Sequence, residues 1–294
     1  MGKFSDGAIN EHFLVALPDE RQAVWRRRSE INLPASCQID LMTEAKLLSF
    51  LATCQADWAP NLFAASSQGL LLEFLAAEES PAVFGHSHTD ADFWSALAKI
   101  MSELHSTAVP QSLWPEFKAT NLKNSLQSVA LWLQGCLHPL AATISKEISV
   151  VLDLLPEEDS ASVLCHNDFR VGNLLPSVDG QIYLLDWEFA SFGVREQDVG
   201  WLFAPCWRYA EPEGLETDLD CFVTAYEQFS NIQLDRMNIE FWRYISQIRW
   251  SAIAMMQWWR AEQQEQVVDY RSEPQQDPAE ALETAKILKE NWLL

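Results

Sequence analysis

Residues 164–188 read LCHNDFRVGNLLPSVDGQIYLLDWE, and the rest of the chain is organised around them. The apolar pieces at 162–165, 174–175 and 182–185 read as short strands, and Val178-Asp179-Gly180 is a hairpin turn signal between the last two. Strands hold their polar neighbours rigidly. The loop between the first two presents Asp168 at one end and Asn173 at the other, and Asp186 stands at the end of the third. Two hard-oxygen ligands, Asn173 and Asp186, suit Mg²⁺, which keeps several waters and takes its other oxygens from phosphates.

An Asp, an Asn and a second Asp within twenty residues are common in turns. The ordered string is far more specific: Cys165-His166-Asn167-Asp168, Gly172-Asn173-Leu174-Leu175, Leu185-Asp186-Trp187-Glu188, then Gly193 and Asp198. Its Asp-x4-Asn spacing is that of the protein-kinase catalytic loop, where the Asp receives a hydroxyl proton and the Asn holds a metal. As a whole the string resembles the aminoglycoside phosphotransferase and choline/ethanolamine kinase superfamily, which includes thiamine kinase. Its His-Asn-Asp start and Asp-Trp-Glu-Phe-Ala are most similar to the choline and thiamine kinase branches. The resemblance implies an α+β, two-lobed protein-kinase-like fold, with a small β-rich lobe over 1–76 and a larger, mainly helical lobe over 77–294. It also implies ATP and Mg²⁺, with Asp168 as the catalytic carboxylate, Asn173 and Asp186 on the metal, and His166, Glu188 and Asp198 supporting the loop from behind.

Bulk properties are compatible with that reading. A length of 294 residues suggests about two domains. Lys plus Arg number 20 against 42 Asp plus Glu, a formal charge of −22. That argues against nucleic acid or an anionic membrane surface as the main partner, since either demands a basic face. It is compatible with drawing in a small cationic substrate, and equally with plain solubility. No N-terminal apolar run resembles a signal peptide and no stretch reaches membrane-spanning length, so the expected compartment is the cytoplasm. The six cysteines include no Cys-x-x-Cys pair and read as reduced thiols.

Before the central stretch, 12–17 and 22–27 read as strands joined by the turn signal Pro18-Asp19-Glu20. Residues 5–10 stand where the family has a phosphate-covering loop, which makes Gly7 and Asn10 candidate nucleotide contacts. The second strand ends Val24-Trp25-Arg26-Arg27-Arg28. The family places a phosphate-holding basic residue there; the apolar pair before it selects Arg26, with Arg27, on the other face, as the alternative. Glu44, in a helix opening near Thr43, fits the acid that pairs with that base. After Pro60 the chain reads as a loop and then a strand, LLLEFL at 70–75. In the family this strand leads into the hinge that grips adenine through backbone groups, here Glu73, Phe74 and Leu75.

Residues 76–89 have no periodicity and read as the linker between lobes. Helical spacing follows at 93–104, 122–137, 144–155, 236–264 and 278–292. His105 and His138 read as structural residues at helix ends, where positive charge is favoured. The acidic run 211–220 reads as a solvated loop and helix start, in a region where the family builds its acceptor pocket. Most aromatic rings of 236–264 read as core, with one or two available to face a cation. The expected activity is ATP- and Mg²⁺-dependent phosphorylation of a small cationic alcohol of the choline, ethanolamine or thiamine type. The rivals are an aminoglycoside or sugar alcohol as acceptor, and a non-catalytic nucleotide-binding scaffold. A hydrolase would need a water-orienting group that no motif supplies.

Overall fold

The structure, a computed structural model, describes residues 2–6, 10–28, 37–77, 91–155, 162–207, 212–263 and 276–293. The N-terminal part is one antiparallel sheet of five strands in the order β1-β2-β3-β5-β4. These are β1 (Gly2–Asp6), β2 (Asn10–Ala16), β3 (Gln22–Arg28), β4 (Leu62–Ser66) and β5 (Gly69–Glu73). Helix α1 (Leu41–Thr53) packs against β4 and β5. It starts because the Asp40 carboxylate accepts from the otherwise unpaired N–H groups of Met42 (2.8 Å) and Thr43 (2.9 Å). Its inner face buries Leu47, Leu48 and Leu51, with Glu44 buried in the first turn.

Two strands differ from the sequence reading. Residues Ser5 and Asp6, expected in a loop, end β1, and Leu62–Ser66, read as loop, form β4. β4 lies at a sheet edge with three of its five residues exposed, so it carries no apolar alternation to read. The linker reading falls largely on residues 78–89, outside the described residues. At its start, the Ala76 carbonyl accepts from Ser177 Oγ (3.0 Å) and Val178 N (3.2 Å), tying the end of the sheet region to a later hairpin.

The remainder is mainly helical: α2 (Ala91–Ser106), α3 (Trp114–Ala119), α4 (Leu122–Gln134), α5 (Pro139–Leu154), α6 (Arg195–Leu202), α7 (Pro212–Ser230), α8 (Arg236–Gln263) and α9 (Pro278–Leu293). Between α5 and α6 run four short strands: β6 (Val163–Cys165) pairs with β9 (Ser191–Gly193), and β7 (Leu174–Pro176) with β8 (Ile182–Leu184). His138 caps α5, its Nδ1 accepting from Leu140 N at 3.2 Å. It therefore serves as an acceptor at a helix start, not as a positive charge at a helix end. The acidic run opens α7, where Glu216 pairs with Arg243 and Asp220 with Arg236.

One apolar core joins α1 and Trp58 to α2, Trp187 and α7. A second lies among α4, α5, α8 and α9, and a smaller one gathers Trp201, Trp207 and Trp250. Trp242, Tyr244 and Trp250 are buried, as the core reading of α8 expected. All six cysteines are free, and among the described residues no helix is long and apolar enough to cross a membrane.

Candidate active site

A cleft of ≈ 420 Å³ lies between the sheet and the β7–β8 hairpin. Its apolar walls include Val24 and Leu72 on one side and Leu175 and Leu185 on the other; Arg26, Glu44, Asn173 and Asp186 make its polar end. Glu73, Phe74 and Leu75 also line it. The Glu73 carboxylate is engaged by Asn61 Nδ2 (2.8 Å), whereas the backbone N–H and C=O of Leu75 meet no partner among the described residues.

Strand periodicity decides between the arginines. Arg26 is buried and faces the cleft; Arg27 faces outward and pairs with Glu11. Arg26 Nη2 forms an ion pair with Glu44 Oε2, and Nη1 lies 3.4 Å from Asp186 Oδ1. Burial opposes the guanidinium charge, but Glu44 and Asp186 outweigh it and keep Arg26 firmly protonated. His12, directly opposite Arg26 in the β2–β3 register, also lines the cleft, and burial lowers its pKa.

Asp168 stands one bond behind the polar end. Its Oδ1 accepts from Trp201 Nε1 (2.9 Å) and its Oδ2 from Asn173 Nδ2 (2.5 Å), while Arg170 Nε approaches both oxygens at 3.4 Å. Asn173 Nδ2 also donates to the Asp168 carbonyl at 2.9 Å. With its nitrogen so committed, Asn173 keeps Oδ1 clear of donors among the described residues. Asp186 adopts a left-handed backbone (φ 60°, ψ 69°) and its side chain is 35 % exposed towards the cleft. An uncommitted amide oxygen and a cleft-facing carboxylate are a donor set that fits Mg²⁺.

The loop itself is held from beneath. The Asp198 carboxylate accepts from His166 N (2.8 Å) and Asn167 N (2.7 Å), and His105 Nε2 lies 3.3 Å from it. Burial favours the neutral acid, but the His105 contact and the backbone donors prevail and hold the pKa of Asp198 below the usual carboxylate range. His166 Nε2 meets the Leu185 carbonyl (3.0 Å) and Nδ1 accepts from Asp168 N (3.2 Å). Those partners fix the neutral Nε2–H tautomer, in line with a pKa lowered by burial. Asn167 is left-handed (φ 61°), secured by Nδ2 donating to the Phe189 carbonyl (2.9 Å) and Ser191 Oγ (2.8 Å).

One expected nucleotide contact falls elsewhere. Asn10 is buried away from the cleft lining, and its Nδ2 donates to Glu188 Oε2 at 3.0 Å. Gly7 lies outside the described residues. Glu188 supports the segment after Asp186, and burial, joined by nearby Asp186 and Glu44, raises its pKa to about 7. The sequence reading missed Trp201, Arg170 and Arg249. Arg249 lies 4.1 Å from the Trp201 ring centroid and donates Nη1 to the Asn167 carbonyl (2.5 Å). Arg170 was legible in principle, since it stands inside the Asp-x4-Asn spacing.

The chain belongs to the phosphotransferase enzyme family, whose model matches residues 2–237. Among curated proteins it is similar to the choline/ethanolamine kinase of Mus musculus, 24 % identical over 209 residues, covering 67 % of this chain and 52 % of that one. The chain thus spans about half the length of the curated relatives it matches. Among solved structures it resembles a Plasmodium vivax ethanolamine kinase, at TM-score 0.69 and 18 % identity over 97 % of this chain and 82 % of that one. It also resembles APH(2")-IIa in its gentamicin complex, at TM-score 0.62 and 15 % identity over 90 % and 86 % of the two chains. The two-lobed kinase-like fold expected from the sequence is the fold found.

Proposed function

We propose that the protein transfers the γ-phosphoryl group of ATP to a hydroxyl of a small molecule. The observation that carries this is the Asp168 carboxylate, held by Trp201 Nε1 and Asn173 Nδ2 just behind the polar end of a cleft lined by Asn173, Asp186 and Arg26. Residues 1–76 supply the strand side of the nucleotide slot and 77–294 the catalytic loop and acceptor side. Adenine lies between Val24, Leu72 and Leu175, with the Leu75 backbone at its edge, and Arg26 meets the α- and β-phosphates. Asn173 and Asp186 would hold Mg²⁺, which neutralises phosphate charge when bound. Asp168 accepts a hydrogen bond from the acceptor hydroxyl and aims its oxygen at the γ-phosphorus. The new O–P bond forms as the bond to the β–γ bridging oxygen breaks, ADP leaves with that electron pair, and the hydroxyl proton passes to Asp168. Positioning supplies most of the rate, so few groups suffice.

The acceptor reading rests on the sequence motifs, on the acidic chain and on relatives named choline or ethanolamine kinases: a small cationic alcohol such as choline, ethanolamine or thiamine. One observation favours a second reading, a hydroxyl-rich acceptor of the aminoglycoside or sugar type. The rings beside Asp168 are already faced by guanidinium groups, Trp207 by Arg170 (5.2 Å) and Trp201 by Arg249 (4.1 Å), which leaves those faces to the protein's own cations. ATP consumption with Mg²⁺, measured against a panel of amino alcohols, aminoglycosides and sugars, separates the two. Asp168→Asn is expected to abolish turnover and to keep nucleotide binding. An Asp168→Asn protein with near wild-type turnover, or a wild type that consumes ATP with none of the panel, refutes the assignment.

A further inference from the structure

The cleft contains a second guanidinium that the reading above leaves without a task. Arg170 follows the catalytic carboxylate by two residues, lines the cleft together with Gly172, Asn173 and Asp186, and is 27 % exposed. Its grip on Asp168 is loose. Nε stands 3.4 Å from each carboxylate oxygen, well beyond the roughly 2.7–2.9 Å of a charge-assisted hydrogen bond. Its terminal nitrogens, Nη1 and Nη2, have no acceptor among the described residues.

The guanidinium is nonetheless placed with care. Its Cζ lies 5.2 Å from the centre of the Trp207 ring. Trp207 Nε1 donates to the Trp201 carbonyl (2.8 Å), and Trp201 Nε1 donates to Asp168 (2.9 Å). The platform under Arg170 is therefore tied to the backbone of the same residue whose indole orients the Asp168 carboxylate. On the other side Gly172 leaves the room: a Cβ there would collide with Arg170 Nη1 and stand 3.2 Å from its Cζ. Gly172 does not have a positive φ, and a Cβ there would require only that the flexible end of Arg170 shift.

We infer that Arg170 is a catalytic contact for the phosphoryl group in transit, its terminal nitrogens binding γ-phosphate oxygens beside Asp168. The inference rests on the kinase reading above. A planar fork with unused donors matches phosphate oxygens better than a point charge does. A fixed cation aimed where charge is redistributed lowers the barrier without reorganising. The loose contact to Asp168 fits an exchange: as the γ-phosphate arrives, Nη1 and Nη2 engage it, and Asp168 is released to the acceptor hydroxyl. Arg26 does not duplicate this role, because it is paired with Glu44 and Asp186 and is assigned to the α- and β-phosphates.

The test measures ADP and the non-hydrolysable β,γ-imido analogue of ATP, each with Mg²⁺, by calorimetry on the whole chain, alongside ATP turnover. Arg170→Gln is expected to weaken the imido analogue about tenfold or more, leave ADP unchanged, and lower kcat about 100-fold. An Arg170→Gln protein that loses both nucleotides equally, or turns over within threefold of wild type, overturns the inference. A wild-type protein that binds neither nucleotide overturns the kinase reading itself, and Arg170's role with it.

Discussion

Asp198→Asn is the substitution that probes most directly how the catalytic loop is held. The carboxylate is fully buried, and its two oxygens receive the peptide N–H groups of His166 and Asn167, with His105 as a third neighbour. The amide keeps the shape but has only one acceptor oxygen. Whichever backbone donor that oxygen serves, the other N–H faces an NH₂ group and is left buried and unpaired, at about 1–3 kcal/mol. The surviving bond also changes from charge-assisted to neutral, which adds about 1 kcal/mol. The expected loss is about 2–4 kcal/mol out of a total stability of about 5–15 kcal/mol. The pH dependence has a definite sign. The folded carboxyl is held below its unfolded value, so its contribution is present above the unfolded pKa, about 3.9, and disappears as pH falls through the folded pKa. Urea titration at pH 7 should show a lowered midpoint with an unchanged slope, and the gap to wild type should narrow in strong acid. A midpoint shift worth less than about 0.5 kcal/mol at pH 7 would show that the loop does not depend on this acceptor.

Other substitutions separate catalysis from stability. Trp201→Phe removes the Nε1–H donated to Asp168 and leaves a smaller ring under Arg249, so kcat should fall about 10- to 100-fold while nucleotide affinity stays put; equal losses in both would contradict an orienting role. Arg26→Met strands Glu44 in a buried site and should cost about 3–5 kcal/mol, most of it recovered when Glu44→Leu is added; denaturation midpoints of the two variants decide. Glu188 has a folded pKa of about 7, raised first of all by burial, against about 4.3 unfolded. Between those values the folded chain holds a proton that the unfolded chain lacks, so stability falls as pH rises through that window. Glu188→Gln should therefore gain on wild type between pH 5 and 8, by roughly a few kcal/mol, and parallel midpoint-versus-pH curves would refute the assignment.

How far these groups were legible depends on the length of chain that separates them. Asp168, Asn173 and Asp186 stand within one short stretch, and the spacing of the first two is itself the signal. Arg26 and Glu44 followed from the family resemblance, with strand alternation choosing Arg26 over Arg27. Trp201 and Arg249 act across 33 and 82 residues, through an indole donor and a guanidinium on a backbone carbonyl. No local pattern marks such contacts, and an aromatic or basic residue on a helix reads as core or surface. Asn10 shows the converse. A position matched to a phosphate-covering loop suggested a nucleotide contact, but β2 turns its amide towards Glu188. Exposure hid β4, since three of its five residues face solvent and its two half-buried positions, Leu62 and Ala65, do not alternate.

The two residues with left-handed backbones in the site, Asn167 and Asp186, indicate why its supports are so numerous. A non-glycine residue in that region costs about 1–2 kcal/mol and persists only where neighbours enforce it. Asn167 is enforced by its own amide, by Asp198 and by Arg249. Asp186 is bracketed instead: Leu185 N donates to the Asn173 carbonyl (2.8 Å) on one side, and on the other the Glu188 carbonyl accepts from Ile39 N (2.9 Å) while its carboxylate holds Asn10. Ile39 precedes α1 and Asn10 opens β2, so the segment carrying Asp186 is gripped by the sheet region as well as by the catalytic loop. The orientation of that carboxylate and the seating of the sheet over the loop are therefore one mechanical variable. For the proposed transfer, whose rate would come mainly from placing phosphate, hydroxyl and carboxylate in register, such coupling would let the contacts between lobes fix the geometry at the phosphorus.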